Sequence, residues 1–149
     1  MNQFNQSLPM MLYRTLDVVM PAFRAVFQEF GITEQQWRVL RVLWEANGCN
    51  FLTLADTTLI SGPSLVGVVD RLAREGLVER RRSESDRRVV NIFITRKGRK
   101  LERAMQPRID DTYGALQAAI KPSTWKSLLD ALDEVAQVTF EGRKLADKS

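Results

Sequence analysis

The chain has 149 residues and a net charge of +4, with 44% hydrophobic and 27% charged residues, a composition that suits one domain with a real core. It has no histidine and one cysteine, which excludes histidine acid–base catalysis, an intramolecular disulfide and a multi-cysteine zinc site. No apolar run reaches the about 20 residues that cross a bilayer, and the N-terminus lacks a signal-peptide pattern, so we expect a reduced, cytoplasmic protein without a membrane partner.

The N-terminal segment predicts an amphipathic helix followed by a second helix. Apolar residues of the first helix recur at steps of three and four: Leu12, Leu16, Val19, Phe23, Phe27 and Phe30. Pro21 lies inside this stripe and should kink the helix or begin a new turn, and Gly31 ends the element. Thr33 and Gln36 predict a capping box for the second helix. The buried faces of that helix carry Trp37, Leu40, Val42, Leu43 and Trp44.

Two short helices follow, over residues 52 to about 58 and about 63 to 75. This spacing is typical of a helix-turn-helix, whose second helix enters the major groove of double-stranded DNA with its first turns against the base edges. The DNA-contacting candidates on that helix are Ser61, Pro63, Ser64, Leu65, Gly67, Asp70 and Arg71. Serine hydroxyls bind bases or phosphates, and an exposed Leu65 would touch a thymine methyl.

Gly67 interrupts the second helix of this pair, where glycine costs up to about 1 kcal/mol relative to alanine. The sequence leaves two interpretations open: close approach of the backbone to DNA, or close packing against a neighbouring helix. The first two turns contain no Asn, Gln or Arg. We therefore expect weak bidentate contacts to bases from this part of the helix.

A two-stranded ribbon is predicted at residues 77–82 and 89–95, the second strand alternating apolar and polar positions. Arginines lie at its start and tip: Arg80, Arg81, Arg82, Arg87 and Arg88. The carboxylate of Asp86 is expected to fix the guanidinium of Arg88, so that it enters a narrow minor groove with less loss of entropy. Residues 71–103 hold twelve Arg or Lys and five Asp or Glu, a local charge of +7 that leaves −3 for the remainder. The alternative is a solvated charged hairpin.

The C-terminal part predicts two more helices. The first opens at residues 95–98, with Pro107 expected to kink it, and the second begins at Lys121 and Pro122. Their apolar residues are Leu101, Met105, Ile109, Leu116 and Ile120, then Trp125, Leu128, Leu129, Leu132, Val135 and Phe140. With the first helix of the chain, these helices have apolar faces wider than a small winged-helix core uses, so we expect a second copy to cover them.

The segments ITEQQWRVLRVLWE and LADTTLISGPSLVGVVDRLAREGLVERRRSESDRRVVNIFITRKGRKL resemble the MarR family of dimeric bacterial transcription regulators, with likeness over residues 12–140. PSLVGVVDRL is similar to the branch that regulates homoprotocatechuate, or aromatic-acid, catabolism. The resemblance implies a mainly α fold with a small β-wing in one domain of residues 1–149. A winged helix-turn-helix would span about 33–100, and dimerisation helices about 8–30 and 101–145.

The resemblance further implies a homodimer on a palindromic DNA site, released by a small phenolic acid or by cysteine oxidation. Repression is likewise what the family implies. By position, Ser64 and its neighbours would read the major groove, Asp86 would orient Arg88, and Arg88 would enter the minor groove.

A pocket for such an effector is expected where the dimerisation helices meet the winged domain. An aromatic carboxylate needs a cation beside an apolar slot. The candidates are Arg14, Arg24, Trp37, Arg38 and Arg41. The other interpretation places Trp37 in the core and the arginines in surface or dimer ion pairs.

The sequence allows three alternatives to a ligand-responsive regulator. A redox regulator would use Cys49, but neither a neighbouring cation nor a second cysteine supports it. A winged-helix module that binds protein would not need the arginines of residues 80–88. An enzyme is disfavoured because the chain lacks histidine, paired-carboxylate motifs, GxxxxGK[ST] and GxSxG. We therefore expect no catalytic residues, no cofactor and no metal.

Overall fold

The computed structural model describes residues 4–138, which form ten short elements in two compact units that divide after Thr112. A 3-10 turn at Phe4–Gln6 precedes α1 (Leu8–Glu29), α2 (Glu34–Glu45), β1 (Cys49–Asn50), α3 (Phe51–Thr58), α4 (Gly62–Arg74), β2 (Val78–Arg82), β3 (Val90–Ile94), α5 (Arg96–Ala118) and α6 (Pro122–Ala136). The prediction of a mainly α fold with a small β-wing is confirmed. The last part of the expected C-terminal helix, residues 139–145 with Phe140, lies outside the described residues.

Helix α1 runs unbroken through Pro21, and α5 runs unbroken through Pro107, so neither proline begins a new helix. A proline inside a helix loses one backbone hydrogen bond and crowds the preceding turn. In α1 the residues that follow it, Phe23, Val26 and Phe27, are buried in the core. We infer that this packing outweighs the lost hydrogen bond.

The start of α2 confirms the predicted capping box. The backbone N–H of Gln36 donates to Thr33 Oγ1 at 3.1 Å, and the backbone N–H of Thr33 donates to Gln36 Oε1 at 2.8 Å. Behind this cap, Val39, Leu40 and Leu43 are fully buried. The cap thus fixes the entry of the helix that carries the centre of the core.

The sheet has three antiparallel strands in the order β1-β3-β2, one more strand than predicted. Cys49 pairs with Ile92 and Asn50 with Asn91. Two residues are too few to show an alternating pattern, so β1 escaped detection. The predicted alternation of β3 is confirmed, since Ile92 and Ile94 are buried.

Helices α3 and α4 form the predicted helix-turn-helix, with a 105° bend between them. The turn contains Leu59, which is 87% exposed and has a left-handed φ of 55°. Within residues 4–138 no single helix is long and apolar enough to cross a bilayer; α3 and α4 together meet the length and composition only as this bent pair.

The first turn of α5 is docked on the base of the wing and on α2. A Cβ added at Gly98 would overlap the carbonyl oxygen of Leu77 and the side chain of Ile94. The Trp44 indole N–H donates to the Gly98 carbonyl at 3.3 Å, and Thr95 Oγ1 donates to the Gly76 carbonyl at 2.7 Å. Only glycine permits this approach.

A second link joins α5 to the end of α1. Arg108 donates two hydrogen bonds to the carboxylate of Glu29, at 3.0 and 2.7 Å. The hydrogen bond from this guanidinium lowers the pKa of Glu29 below its ordinary value. Both side chains are about half exposed, so the pair orients the two helices more than it stabilises them.

Much of α1 leaves its apolar side chains exposed in the single chain. Leu8, Met11, Leu16 and Val18 are between 51% and 78% exposed. Helix α6 likewise has exposed apolar side chains, those of Leu128, Leu129 and Val135. Exposed apolar residues in such numbers are typical of a surface that another protein covers.

We expect Gly98→Ala to lower the free energy of unfolding by about 1–3 kcal/mol, the usual cost of overpacking. The added methyl group would meet the Leu77 carbonyl, which belongs to the backbone and cannot rotate away. Urea unfolding followed by circular dichroism measures the change.

The matched control is Gly114→Ala on the same helix. Apart from the adjoining residues and the nearby backbone of the helix itself, no atom lies within 4 Å of the new Cβ. There the substitution should leave stability unchanged or raise it by up to about 1 kcal/mol. Equal unfolding free energies for the two variants would contradict the proposed close contact.

Candidate nucleic-acid interface

Helix α4 buries one face and exposes the other. Leu65, Val68, Val69 and Leu72 are buried. Leu65 is 0% exposed, so the expectation that it faces DNA was wrong. Steps of four and seven residues place it on the stripe that also contains Val69 and Leu72. The exposed apolar residue of the first turns is instead Val66, at 46%, which the sequence analysis missed.

The beginning of α4 presents hydroxyl groups to solvent. Ser61, Pro63 and Ser64 are all exposed. Ser61 occupies the N-cap position, yet its side chain makes no capping hydrogen bond and donates to Ser64 Oγ at 3.0 Å. These hydroxyls are therefore in place for the base or phosphate contacts of a recognition helix.

The surface at Gly67 is open. A Cβ added there would have one neighbour within 4 Å, Nη2 of Arg71 at 4.0 Å. No atom of a neighbouring helix lies that close, so the interpretation of close helix packing was wrong. Arg71 is exposed, and no ion pair is formed by it within residues 4–138.

Two wing arginines are held by partners. Arg80 forms an ion pair with Asp70 of α4 at 2.5 Å, and its guanidinium lies over the Phe51 ring at 5.6 Å. Arg81 pairs with Glu79 and lies 4.6 Å from the centre of the Phe93 ring. Both predicted DNA contacts thus have structural roles that the sequence did not indicate, and Arg80 joins the wing to α4.

The other wing arginines are free. Arg82, Arg87 and Arg88 are exposed, and in the described part of the chain none of them forms an ion pair. Asp86 does not hold the Arg88 guanidinium as expected, because its Oδ1 accepts the backbone N–H of Arg88 at 3.0 Å. This contact two residues along is the common turn motif of aspartate. Asp86 shapes the tip and leaves the guanidinium available.

The five effector candidates lie on α1 and α2. The five residues differ in their partners: Arg24 and Arg38 both pair with Glu34, Arg41 pairs with Glu45 at 2.8 Å, and Arg14 has no ion pair within the described residues. Trp37 stacks on Phe27, with ring centres 4.9 Å apart. Its Nε1 is buried without a hydrogen-bond partner. Trp37 and Arg41 lie one helical turn apart and so share a face of α2.

Cys49 has the environment of an inert thiol. Its Sγ donates to the Ala46 carbonyl at 2.9 Å, and burial raises the pKa of the thiol. A raised pKa decreases the thiolate fraction that reacts with peroxide. The geometry disfavours a redox switch.

Comparison with known proteins places the chain in a family. A model described as the MarR family matches residues 32–90. Over 130 residues the chain is 32% identical to the homoprotocatechuate degradative operon repressor of Escherichia coli, which covers 87% of this chain and 88% of that protein. This chain belongs to the MarR family. It is therefore a DNA-binding regulator of transcription rather than an enzyme.

Two solved MarR-type structures are similar over nearly the whole chain. NadR in complex with 4-hydroxyphenylacetate is 31% identical with a TM-score of 0.80, covering 93% of this chain and 99% of that chain. The repressor CouR bound to a 23-mer DNA duplex is 26% identical with a TM-score of 0.84, covering 92% and 99%. One structure shows this fold with an aromatic acid, and the other shows it with DNA.

We expect Arg88→Ala to weaken operator binding roughly tenfold or more, the effect of losing one good groove contact, while fold and dimer stay intact. Fluorescence anisotropy across a salt series measures the affinity. The control is Arg103→Ala, which removes the same charge from an exposed position on α5. If both variants bound like the wild type, the wing assignment would be wrong.

We expect Cys49→Ser to respond to peroxide as the wild type does, with DNA affinity unchanged in both. The reason is the raised pKa of the thiol. Anisotropy before and after peroxide treatment measures it. A peroxide response that is present in the wild type and lost in the variant would restore the redox hypothesis.

Proposed function

We propose that this regulator is a homodimeric repressor of pseudo-palindromic operators, released by a small aromatic carboxylate. The observation that carries the DNA part is the set of free wing arginines beside the open face of α4. These groups lie in the region of residues 71–103, whose local charge is +7. Such a concentration of charge matches a polyanion.

In this proposal α4 lies in the major groove. Ser61, Ser64 and Val66 face the base edges, with Val66 in the role that we first gave to Leu65. The tip of the wing follows the backbone, and Arg88 enters the minor groove, where negative potential is strongest when the groove is narrow. Arg82 and Arg87 contact phosphates and position the protein without selecting sequence.

The homodimer supplies the twofold symmetry of the site. Regulators of this family are dimers, and the exposed apolar residues of α1 and α6 are the surfaces available for pairing. Two copies of α4 would then read half-sites about one helical turn of DNA apart, about 34–36 Å.

The effector site is proposed beside Trp37. A buried donor without a partner is costly, and few such groups occur in folded proteins. The Nε1 of Trp37 is one, and a carboxylate oxygen would satisfy it. The side chain of Arg41 lies one turn away and is held only by an exposed ion pair with Glu45, worth about 0.3–0.5 kcal/mol. Arg41 can exchange that partner for the effector at little cost.

The aromatic class of the effector is supported by two relatives. NadR binds 4-hydroxyphenylacetate, and the similar protein of Escherichia coli is a homoprotocatechuate operon repressor. The ring of Phe27, stacked on Trp37, supplies apolar surface beside the unpartnered donor. Repression is proposed on the same relatives.

The DNA part is tested by titrating the purified protein onto DNA from immediately upstream of its own gene, in a salt series. We expect tight binding that falls steeply with salt, at least about 1,000-fold tighter than binding to scrambled DNA. Equal affinity for the two DNAs over several upstream fragments would contradict operator binding.

The effector part is tested with Trp37→Phe, which keeps the ring and removes the N–H donor. We expect its affinity for 4-hydroxyphenylacetate to fall by roughly tenfold or more, since hydrogen bonds to charged groups contribute about 1.5–3 kcal/mol. Operator affinity without effector should not change. Isothermal titration calorimetry measures the first, and anisotropy the second.

Arg24→Ala is the matched control, because its guanidinium is already taken by Glu34 at 3.0 Å. This variant should bind the acid as the wild type does, whereas Arg41→Ala should not. Wild-type affinity in both Trp37→Phe and Arg41→Ala would place the effector elsewhere.

A further inference from the structure

The recognition helix has few side chains able to identify a base. Good discrimination in the major groove comes from bidentate contacts, most often arginine with guanine. Along α4 the long polar side chains are Asp70, Arg71 and Arg74. Asp70 is occupied by Arg80 of the wing at 2.5 Å. The two arginines remain. Both lie in the last turn of α4, and Arg74 is its final residue, one turn farther than Arg71 from the end that approaches the bases.

Arg71 reaches back toward that end. Side chains on a helix lean toward its N-terminus, so a residue covers the surface over the preceding turn. In this structure the Arg71 guanidinium lies over Gly67, with Nη2 4.0 Å from the position of a Cβ there. The guanidinium therefore takes the place that a side chain at position 67 would fill.

The guanidinium of Arg71 is also free of ion pairs within the described residues. Within residues 4–138 Arg71 forms no ion pair, in contrast to Arg80 and Arg81 of the wing. Its own neighbour Asp70 points to Arg80 instead. In the two turns before it, the exposed side chains are those of Ser64 and Val66, and the half-buried Gly67 has none. Arg71 is exposed, so its guanidinium is accessible from solvent.

We propose that Arg71, laid over the bare surface of Gly67, is the base-reading residue of α4 and contacts one guanine per half-site through O6 and N7. The proposal rests on the proposed placement of α4 in the major groove. Gly67 has a specific task in it, because its lack of a side chain gives the guanidinium its position. This explains why the least helix-favouring residue other than proline stands in the middle of a recognition helix.

A base contact and a phosphate contact make different predictions. Loss of a phosphate contact weakens binding to all sequences alike, whereas loss of a base contact removes discrimination at one base pair. The measurement is therefore the set of affinities for sites that differ at each base pair, and not the affinity for one site. The full-length dimer first selects its site from a randomised DNA pool. Each base pair of the selected half-site is then varied in turn, and dissociation constants are measured by anisotropy.

The wild type should prefer guanine at one position by roughly 10- to 100-fold. Arg71→Ala should reduce that preference to nearly one and leave the other positions unchanged. Arg71→Lys should do the same while keeping the charge, because lysine lacks the planar fork. Arg74→Ala, the matched control, should leave the profile unchanged whatever its effect on overall affinity.

Substitutions at Gly67 test the geometry without removing the arginine. Gly67→Ala places a Cβ at ordinary contact distance, 4.0 Å from Nη2, and should keep the guanine preference. Gly67→Leu would fill the space of the guanidinium and should abolish the preference at the same position as Arg71→Ala. Circular dichroism and size-exclusion chromatography establish that each variant is folded and dimeric.

The outcomes distinguish a failure of the proposed function from a failure of the Arg71 proposal alone. A wild type that selects no site contradicts the proposed function and this proposal with it. A wild type that selects a site, with Arg71→Ala weakening every sequence equally, contradicts the proposal alone and makes Arg71 a phosphate contact. An unchanged profile in Gly67→Leu also overturns it, since the guanidinium would not depend on the space at Gly67.

Discussion

The arrangement of the winged domain depends on the contact of Gly98 with Leu77 and Ile94. The contact is so close that a single added carbon does not fit, and hydrogen bonds from Trp44 and Thr95 surround it. Packed interiors resist gradual deformation and shift between discrete arrangements. The contact therefore joins α2, the wing and the first turns of α5 within one packed arrangement. In the proposed function, an effector bound beside α2 would act on the wing through this contact.

The five wing arginines divide the work between structure and recognition. Arg80 and Arg81 lie on aromatic rings and pair with carboxylates, so both guanidinium groups already have partners within the protein. Since Arg80 pairs with Asp70, the angle between the wing and α4 is set within the protein. The arginines at the tip form no ion pairs within the described residues. The carboxylate of Asp86 stabilises the turn there by accepting the backbone N–H of Arg88. The free cations of the tip are available to contact the DNA backbone, and contacts of that kind orient a bound protein on the duplex.

Local signals in the sequence were sufficient for the order of the helices and the two wing strands, the capping box at Thr33 and the alternation of β3. They failed where tertiary packing decides. Leu65 was assigned to the wrong face although its spacing of four and seven residues from Val69 and Leu72 places it on their buried stripe. The two-residue strand at Cys49 exists only through its pairing with β3. The unpartnered indole N–H of Trp37 follows from burial by distant residues, which no spacing along the chain records.

The bare helix surface at Gly67 has a consequence for how such regulators diverge after gene duplication. Four residues of α4, Leu65, Val68, Val69 and Leu72, are held by the core behind them and cannot change freely without disturbing the fold. Position 67 has open space on every side except toward one guanidinium. If Arg71 reads a base as proposed, a single codon change at position 67 would pass that role to a new side chain. Two duplicated copies would then recognise different promoters while keeping the same scaffold.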